Sequence, residues 1–287
     1  MKDYVILTDS CCDLTQEQLS DSGITAIDLE IIIDNGDPVF NKDLDPKEFY
    51  QKLRQKGSVS TSAVSMDRFT EFFEGFLKNG VDVLYLGFSS GLSGTYNAGL
   101  VAAKELSEKY PERKIYAVDT LAASLGQGLL IDYAVKLKND GADIETVRDF
   151  IEENKLKLCH WFTVDDLFFL KRGGRVSAAT AVVGSMLSIK PVLHVDDMGR
   201  LINVGKARGR KAAIDALFEK MKETAIEPEN QTIFISHGDA IEDAEYLADR
   251  IREELGAKEI KIGYVGPVIG AHAGPGVLAL FFIGTER

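Results

Sequence analysis

Residues 88–99 read FSSGLSGTYNAG. The hydroxyl side chains of Ser89, Ser90, Ser93 and Thr95 are interleaved there with Gly91, Gly94 and Gly99. The segment follows the apolar run VLYL (83–86) and precedes AGLVAAKEL (98–106), so it sits where a buried strand turns into a helix. Glycine opens backbone conformations closed to other residues. The free N–H groups and positive dipole end of a new helix stabilise an anion. The loop can therefore cradle a carboxylate or phosphate, with Ser93 and Gly94 at the helix entrance. Ser93 can equally serve only as the N-cap. The two readings are compatible, and both stay open.

A second cluster lies in GPVIGAHAGPGVLAL (266–280), where His272 stands among Gly270, Gly274, Pro275 and Gly276. Such glycine density lets the backbone crowd a ligand, and Gly-Pro-Gly forces a turn. A hydrogen-bonded structural histidine is the competing reading. The third cluster is basic: LKRGGRVSAAT (170–180) and KARGRKAA (206–213). The planar fork of arginine suits phosphate and carboxylate partners, although solvated charge at helix ends explains most such groups. GLSGT invites comparison with the G-x-S-x-G elbow of serine hydrolases, with Ser93 as nucleophile and His272 as base. Thr95 replaces the last glycine, which disfavours that strained turn. The other histidines show no metal-ligand spacing, so no metal is expected. Neither a complete phosphate-binding P-loop nor a dinucleotide fingerprint occurs.

The elements that must position these groups alternate. YVILT (4–8), ITAIDLEIII (24–33), VDVLYLGF (81–88) and KIYAV (114–118) read as buried strands, and helical patterns cover 45–57, 65–79, 94–109, 121–138 and 144–155. Alternating strand and helix predicts a parallel sheet covered by helices on both faces. Ligands then sit beyond the carboxyl ends of the strands, where TDSCCD (8–13), FSSGLSGT (88–95) and VDTLAAS (118–124) fall. VSTSAVS (59–65) lies just before a helix and can join them. From about residue 157 short strands dominate, and IKPVLHV–DDMG–RLINVG reads as a hairpin, so this second sheet is partly antiparallel. Helices are expected there at 178–187, 208–223 and 240–255, with a short one at 166–171. The expected fold is α/β with two domains: residues 1–157 around a three-layer parallel sheet, and residues 158–287 around a mixed sheet. So short a boundary implies a shared cleft.

The chain has 287 residues and a formal net charge of −12. That charge argues against nucleic-acid binding. It leaves room only for transient membrane contact through a local basic patch. Cys11, Cys12 and Cys159 form no disulfide framework and fit a reducing cytoplasm. MKDYVILTDS lacks the apolar core of a signal peptide, and the longest apolar run, VLALFFI (277–283), is too short to span a bilayer. A cytoplasmic location is expected.

TDSCCDL (8–14), STS (60–62), FSSGLSGTYN (88–97), VDTLAASLGQG (118–128), VDDLFFLKRGGRVS (164–177), IKPVLHVDDMGRL (189–201), KARGRKAA (206–213), SHGDA (236–240) and GPVIGAHAGPG (266–276) occur together and in this order. Over essentially its whole length the chain resembles the DegV family. The resemblance implies a two-domain α/β protein that holds one long-chain fatty acid, such as palmitate, between its domains. It implies no cofactor and no catalysis of its own. The implied role is the acyl-binding subunit of a bacterial fatty acid kinase, whose separate catalytic subunit phosphorylates the bound carboxylate for phospholipid synthesis. By the same resemblance Thr61, with Ser62 beside it, Ser93 and Gly94 hold the carboxyl group, and His272 lies near it. Arg175 and Arg208 match basic residues of the surface that meets the kinase or the product phosphate. Many relatives have threonine where Ala273 follows the histidine, so a second contact from that hydroxyl is lost here. A third reading is a small-molecule domain related to the dihydroxyacetone kinases, with His272 on a polar ligand.

An ionised carboxylate only accepts hydrogen bonds, and burying it unpaired is costly. The hydroxyls, the Gly94 N–H and His272 would supply donors, more strongly if the imidazole is protonated. A sixteen-carbon tail favours burial by about 12 kcal/mol gross. The tail therefore dominates affinity, and the polar groups fix orientation. Candidate tunnel walls are FFL (168–170), AVVGSML (181–187) and the phenylalanine stripe of 69–76, the last read as ordinary core in preference.

Overall fold

The structure, a computed structural model, describes residues 3–55, 57–177 and 188–287. The expected helix at 178–187, and with it the AVVGSML wall, lies outside the described residues.

Strands β1 (Tyr4–Asp9), β2 (Thr25–Ile27), β6 (Asp82–Gly87) and β7 (Ile115–Asp119) form a fully parallel sheet in the order β2-β1-β6-β7. From β1 the chain crosses through the helix Gln16–Asp21 to β2 on one side. From β6 it crosses through Thr95–Lys109 to β7 on the other. The winding thus reverses between β1 and β6, and the crevice at their carboxyl ends is where such sheets bind ligands. β6 is buried along its whole length, which is why it reads as a continuous apolar run rather than an alternating one.

The region read as one strand at 24–33 divides. After β2 the chain leaves the parallel sheet at Asp28–Leu29, and β3 (Glu30–Ile33) joins a small antiparallel sheet with β4 (Val39–Phe40) and β5 (Val59–Ser62). Arg68 holds the break by donating to the Asp28 carbonyl at 2.8 Å. VSTS, read as a turn, is therefore β5.

The second sheet is six-stranded, in the order β10 (Leu201–Arg208), β9 (Ile189–Val195), β8 (Leu158–Thr163), β13 (Leu278–Ile283), β11 (Thr232–His237), β12 (Glu259–Tyr264). Only β11 and β12 pair in parallel. One face packs on the helices Arg210–Thr224 and Ile241–Leu255 through Leu217, Phe218, Leu247, Ile251 and Phe282. Its other face carries Phe162, Leu193, Val195, Ala279 and Phe281, which belong to one continuous core with the parallel-sheet half. The helix Leu125–Asn139 is wedged between the two sheets, apolar and buried through its first turns. The chain is thus a mixed α/β fold in which a parallel sheet and a mixed sheet share one apolar interior. Phe69 and Phe73 pack on Tyr85 inside that interior, the ordinary-core reading of the phenylalanine stripe.

Candidate functional site

Asp9, at the end of β1, fixes the geometry of the crevice. Its buried carboxyl accepts from Cys11 N–H at 3.1 Å, Tyr85 O–H at 2.7 Å and Phe88 N–H at 2.9 Å. Burial pushes its pKa up. These bonds tie the exit of β6 to the exit of β1, so the serine–glycine loop starts from a fixed point. The loop then satisfies most of its own N–H groups. Ser90 donates to Asp119 Oδ1 at 3.2 Å, Gly91 to Ser89 Oγ at 3.2 Å, and Leu92 and Ser93 to the Ser89 carbonyl at 3.1 and 3.2 Å. It is therefore no open nest of amides. Gly91 is required by close approach, because a Cβ there would lie 2.5 Å from the Met198 carbonyl oxygen in the β9–β10 turn.

What the loop presents is its end. Gly94, not Ser93, is the N-cap of Thr95–Lys109, and Ser93 Oγ accepts from Thr95 N–H at 3.2 Å while pairing with Thr95 Oγ1 at 3.0 Å. Among the described residues the Gly94 N–H has no hydrogen-bond partner. Ser93 and Gly94 line a cavity with an empty volume of about 950 Å³, its opening included. Thr61 lines it from β5 and Ala63 from just beyond the strand's end, whereas Ser62 does not. Successive side chains of a strand alternate faces, so Thr61 and Ser62 cannot both turn inward. The sequence placed them together; the pleat separates them.

His272 arrives from the opposite side. The GPVIGAHA segment forms the short helix Pro267–Ala273, and the turn expected at Gly-Pro-Gly follows at Gly274 and Gly276. Three residues from the parallel-sheet half grip its start. Tyr50 O–H donates to the Val265 carbonyl at 2.8 Å, Asn41 Oδ1 accepts from Val268 N–H at 3.1 Å, and Asp13 lies against Gly266. The clamp delivers His272 Nε2 to 2.8 Å from Thr61 Oγ1. Gly173 closes over the ring, since a Cβ there would lie 2.3 Å from Nδ1. Burial, then Arg175 and Arg172, lower the His272 pKa to about 4. Against these protein groups alone the imidazole is neutral at pH 7.

Arg175 lines this cavity too, and it also lines an adjoining open groove with Gly91, Arg200 and Asn203. It donates through Nε to the Leu92 carbonyl at 3.3 Å and through Nη1 to the Gly173 carbonyl. Arg175 thus bridges the loop of Ser93 and the glycine that packs on His272. Arg208 lies apart from both, exposed at the end of β10. Of FFL, Leu170 lines the cavity, while Phe168 is 57% exposed.

The remaining wall is mostly apolar and comes chiefly from the inner face of the six-stranded sheet and from the start of the His272 helix with the residue that leads into it. Phe162, Val195, Leu201, Val265, Val268, Ala279 and Phe281 contribute, with Leu29, Phe88 and Leu92 facing them from the parallel half. Sequence reading missed these residues. Their one signal was the period-2 pattern of CHWFTV, which puts His160 and Phe162 on a common face. It also missed Asp13. This buried carboxyl accepts from Ser124 Oγ at 2.5 Å, and Ser124 Oγ lies 3.0 Å from Ser236 Oγ across the interior. Burial raises the Asp13 pKa to about 7. Among the described residues no cluster of His, Cys, Asp and Glu can hold a metal ion, and no helix is long and apolar enough to cross a membrane.

Comparison with known proteins agrees with this arrangement. A family model described as an uncharacterised protein of the DegV family matches residues 3–285. A DegV domain-containing protein of Clostridium perfringens is 52% identical over 289 aligned positions, covering 100% of this chain and 99% of its own. Among solved structures, a DegV lipid-binding protein of Thermotoga maritima aligns with a TM-score of 0.85 at 31% identity, covering 99% of both chains. A Thermus thermophilus DegV family protein described by its fatty-acid binding aligns with a TM-score of 0.87 at 29% identity, covering 98% of this chain and 99% of that one.

Proposed function

The chain belongs to the DegV family, and from that premise we propose that it binds one long-chain fatty acid, such as palmitate, between domains spanning 1–157 and 158–287. The carboxylate rests against Thr61, Ser93, Gly94 and His272, and the acyl tail lies along the mixed sheet. The observation that carries this reading is the meeting of hydroxyl, amide and imidazole groups from both halves of the fold at one apolar cavity. Apolar pockets with few convergent polar groups suit a ligand of this kind.

The neutral imidazole sets the polarity of the grip. A carboxylate accepts only, so in the loaded protein His272 Nε2–H donates to Thr61 Oγ1 and the Thr61 hydroxyl turns its proton to the ligand. Gly94 N–H adds the positive end of a fifteen-residue helix. Arg175 stands between the cavity and the open groove. From there it meets phosphate as a separate fatty acid kinase transfers a phosphoryl group to the carboxylate oxygen. Arg208, at the far end of β10 from that groove, is a separate basic contact for the kinase. The protein itself is a carrier acting in the cytoplasm in phospholipid metabolism, with no cofactor and at most brief membrane contact. An esterase reading has less support: His272 pairs with Thr61, and Ser93 Oγ pairs with Thr95 instead of an imidazole.

Native mass measurement of delipidated protein with palmitate tests the carrier reading. A one-to-one adduct is expected, and its absence at saturating ligand would end the proposal. Hydrolysis of acyl esters abolished by Ser93→Ala would favour the esterase instead.

A further inference from the structure

Ser89, at the start of the serine–glycine loop, is fully buried and stands outside the cavity wall. Every polar group it carries is engaged. Its N–H donates to the Ala122 carbonyl at 3.0 Å, and its own carbonyl accepts from Leu92 and Ser93 N–H at 3.1 and 3.2 Å. Its hydroxyl accepts from Gly91 N–H at 3.2 Å and donates to the Gly199 carbonyl at 2.8 Å. One residue thus joins the loop after β6, the loop after β7 and the β9–β10 turn. The fit leaves no room for a side chain on the turn, since a Cβ at Gly199 would lie 2.1 Å from Ser89 Oγ. The turn also has a shape of its own. Asp196 Oδ1 accepts from Met198 and Arg200 N–H at 3.0 and 2.9 Å, and Gly199 N–H donates to the Asp196 carbonyl at 2.8 Å. Arg287 Nη1 donates to that same carbonyl at 3.1 Å. The mixed-sheet half therefore offers the Gly199 carbonyl to the loop as a fixed acceptor.

Among the described residues, the bond from Ser93 N–H to Ser89 is the last backbone tie before the Gly94 N-cap. What orients Ser89 therefore orients Ser93 Oγ and the Gly94 N–H. The geometry points to Ser89 and Gly199 as positioning residues of the head-group site: without touching the ligand, they hold the loop in the shape that receives the carboxylate, so a hairpin turn of the mixed sheet governs recognition of the acid group. The inference rests on the carrier reading and deepens it. Removing the Ser89 hydroxyl leaves the Gly91 N–H and the Gly199 carbonyl without these partners, and the loop relaxes to satisfy them. Neither residue lines the acyl wall, so contacts to the tail are spared.

The test compares palmitate with hexadecan-1-ol, which keeps the tail and lacks the carboxylate, each titrated by displacement of a fluorescent fatty acid. The readout is the ratio of the two affinities within one protein. A merely structural loss lowers both affinities together and leaves the ratio unmoved. Ser89→Ala should lower the ratio about fivefold. Gly199→Ala, whose new methyl presses on Ser89 Oγ, should lower it further. The double variant should fall no lower than Gly199→Ala alone, because removing the hydroxyl relieves that clash. Asp196→Ala loosens the turn from its half-buried rim and should lower the ratio about twofold, which keeps the test decisive if the buried positions do not tolerate change. Ratios equal to the native one in the folded variants, or a double variant that falls by the product of the two single losses, overturn the proposal. Failure of the native chain to bind palmitate would overturn the carrier reading as well. Native palmitate binding with unmoved ratios removes only the positioning role.

Discussion

The parallel sheet meets the cavity with the loops at its strand ends, whereas the mixed sheet meets it with the side chains of the strands themselves. The first contributes Ser93, Gly94 and Ser124; the second contributes Phe162, Val195, Ala279 and Phe281. The difference follows from backbone accounting. Where strands end, freed amides and hydroxyls need partners, and a helix start leaves donors available for a ligand. Inside a sheet the backbone is already paired, so the exposed chemistry is that of alternate side chains, and burial selects apolar ones. Anchoring and affinity are in this way assigned to different halves of one chain. Each side has its exception: Leu29 and Phe88 bring apolar contact to the loop side, and His160 breaks the apolar face of the sheet.

The largest effect should come from blocking the sheet side. Ala279→Phe places a ring in the cavity, and displacing roughly four methylenes costs about 3 kcal/mol, near a hundredfold in palmitate Kd. An unchanged Kd in a calorimetric titration would mean that the sheet face is not the acyl wall. On the loop side, Ser93→Ala and Thr61→Val should each weaken palmitate binding by about 0.5–3 kcal/mol. Affinity preserved in both would detach the head group from these hydroxyls.

The two perturbed buried groups sharpen the contrast through pH. The His272 pKa is lowered from 6.5 to about 4 in the fold. The stability linked to its neutral form is complete above 6.5 and is lost as pH falls toward 4. The Asp13 pKa is raised from 3.8 to about 7. The stability linked to its protonated form is complete below 3.8 and is lost as pH rises to 7. Thermal unfolding followed against pH should therefore lose its alkaline-going decline over that window in Asp13→Asn and keep it in His272→Gln. Identical profiles in the two variants would contradict the assignment. The smallest effect is expected at Arg208, exposed and remote from the cavity. Arg208→Ala should shift palmitate affinity by no more than about 0.5 kcal/mol while lowering acyl-phosphate formation with the kinase. A large loss of lipid binding would place Arg208 in a part of the mechanism not described above.

Legibility in the sequence followed the same division. The strand–loop–helix at 83–106 was readable because an apolar run, glycines and a long helical stretch each signal independently. The β9–β10 hairpin was readable because DDMG separates two strand-like runs. The small antiparallel sheet was not, because β4 has two residues and β5 is VSTS, polar after its first residue. Its register, which turns Thr61 inward and Ser62 away, depends on pairing with β3 more than twenty residues earlier. The His272 helix was hidden by its glycines and its seven-residue length, and tertiary clamps from Tyr50 and Asn41 hold it where propensity does not. The neutrality of His272 and the perturbed carboxyl of Asp13 are products of burial, which no local pattern reports.

The most direct test of the central claim is a crystal structure of the protein saturated with palmitate. The carboxylate oxygens should lie within hydrogen-bonding distance of Thr61 Oγ1, Ser93 Oγ and the Gly94 N–H, with the chain running over Phe162 and Ala279. Density for the acid in the reverse direction, or a cavity closed by side chains with the lipid bound elsewhere, would contradict the account.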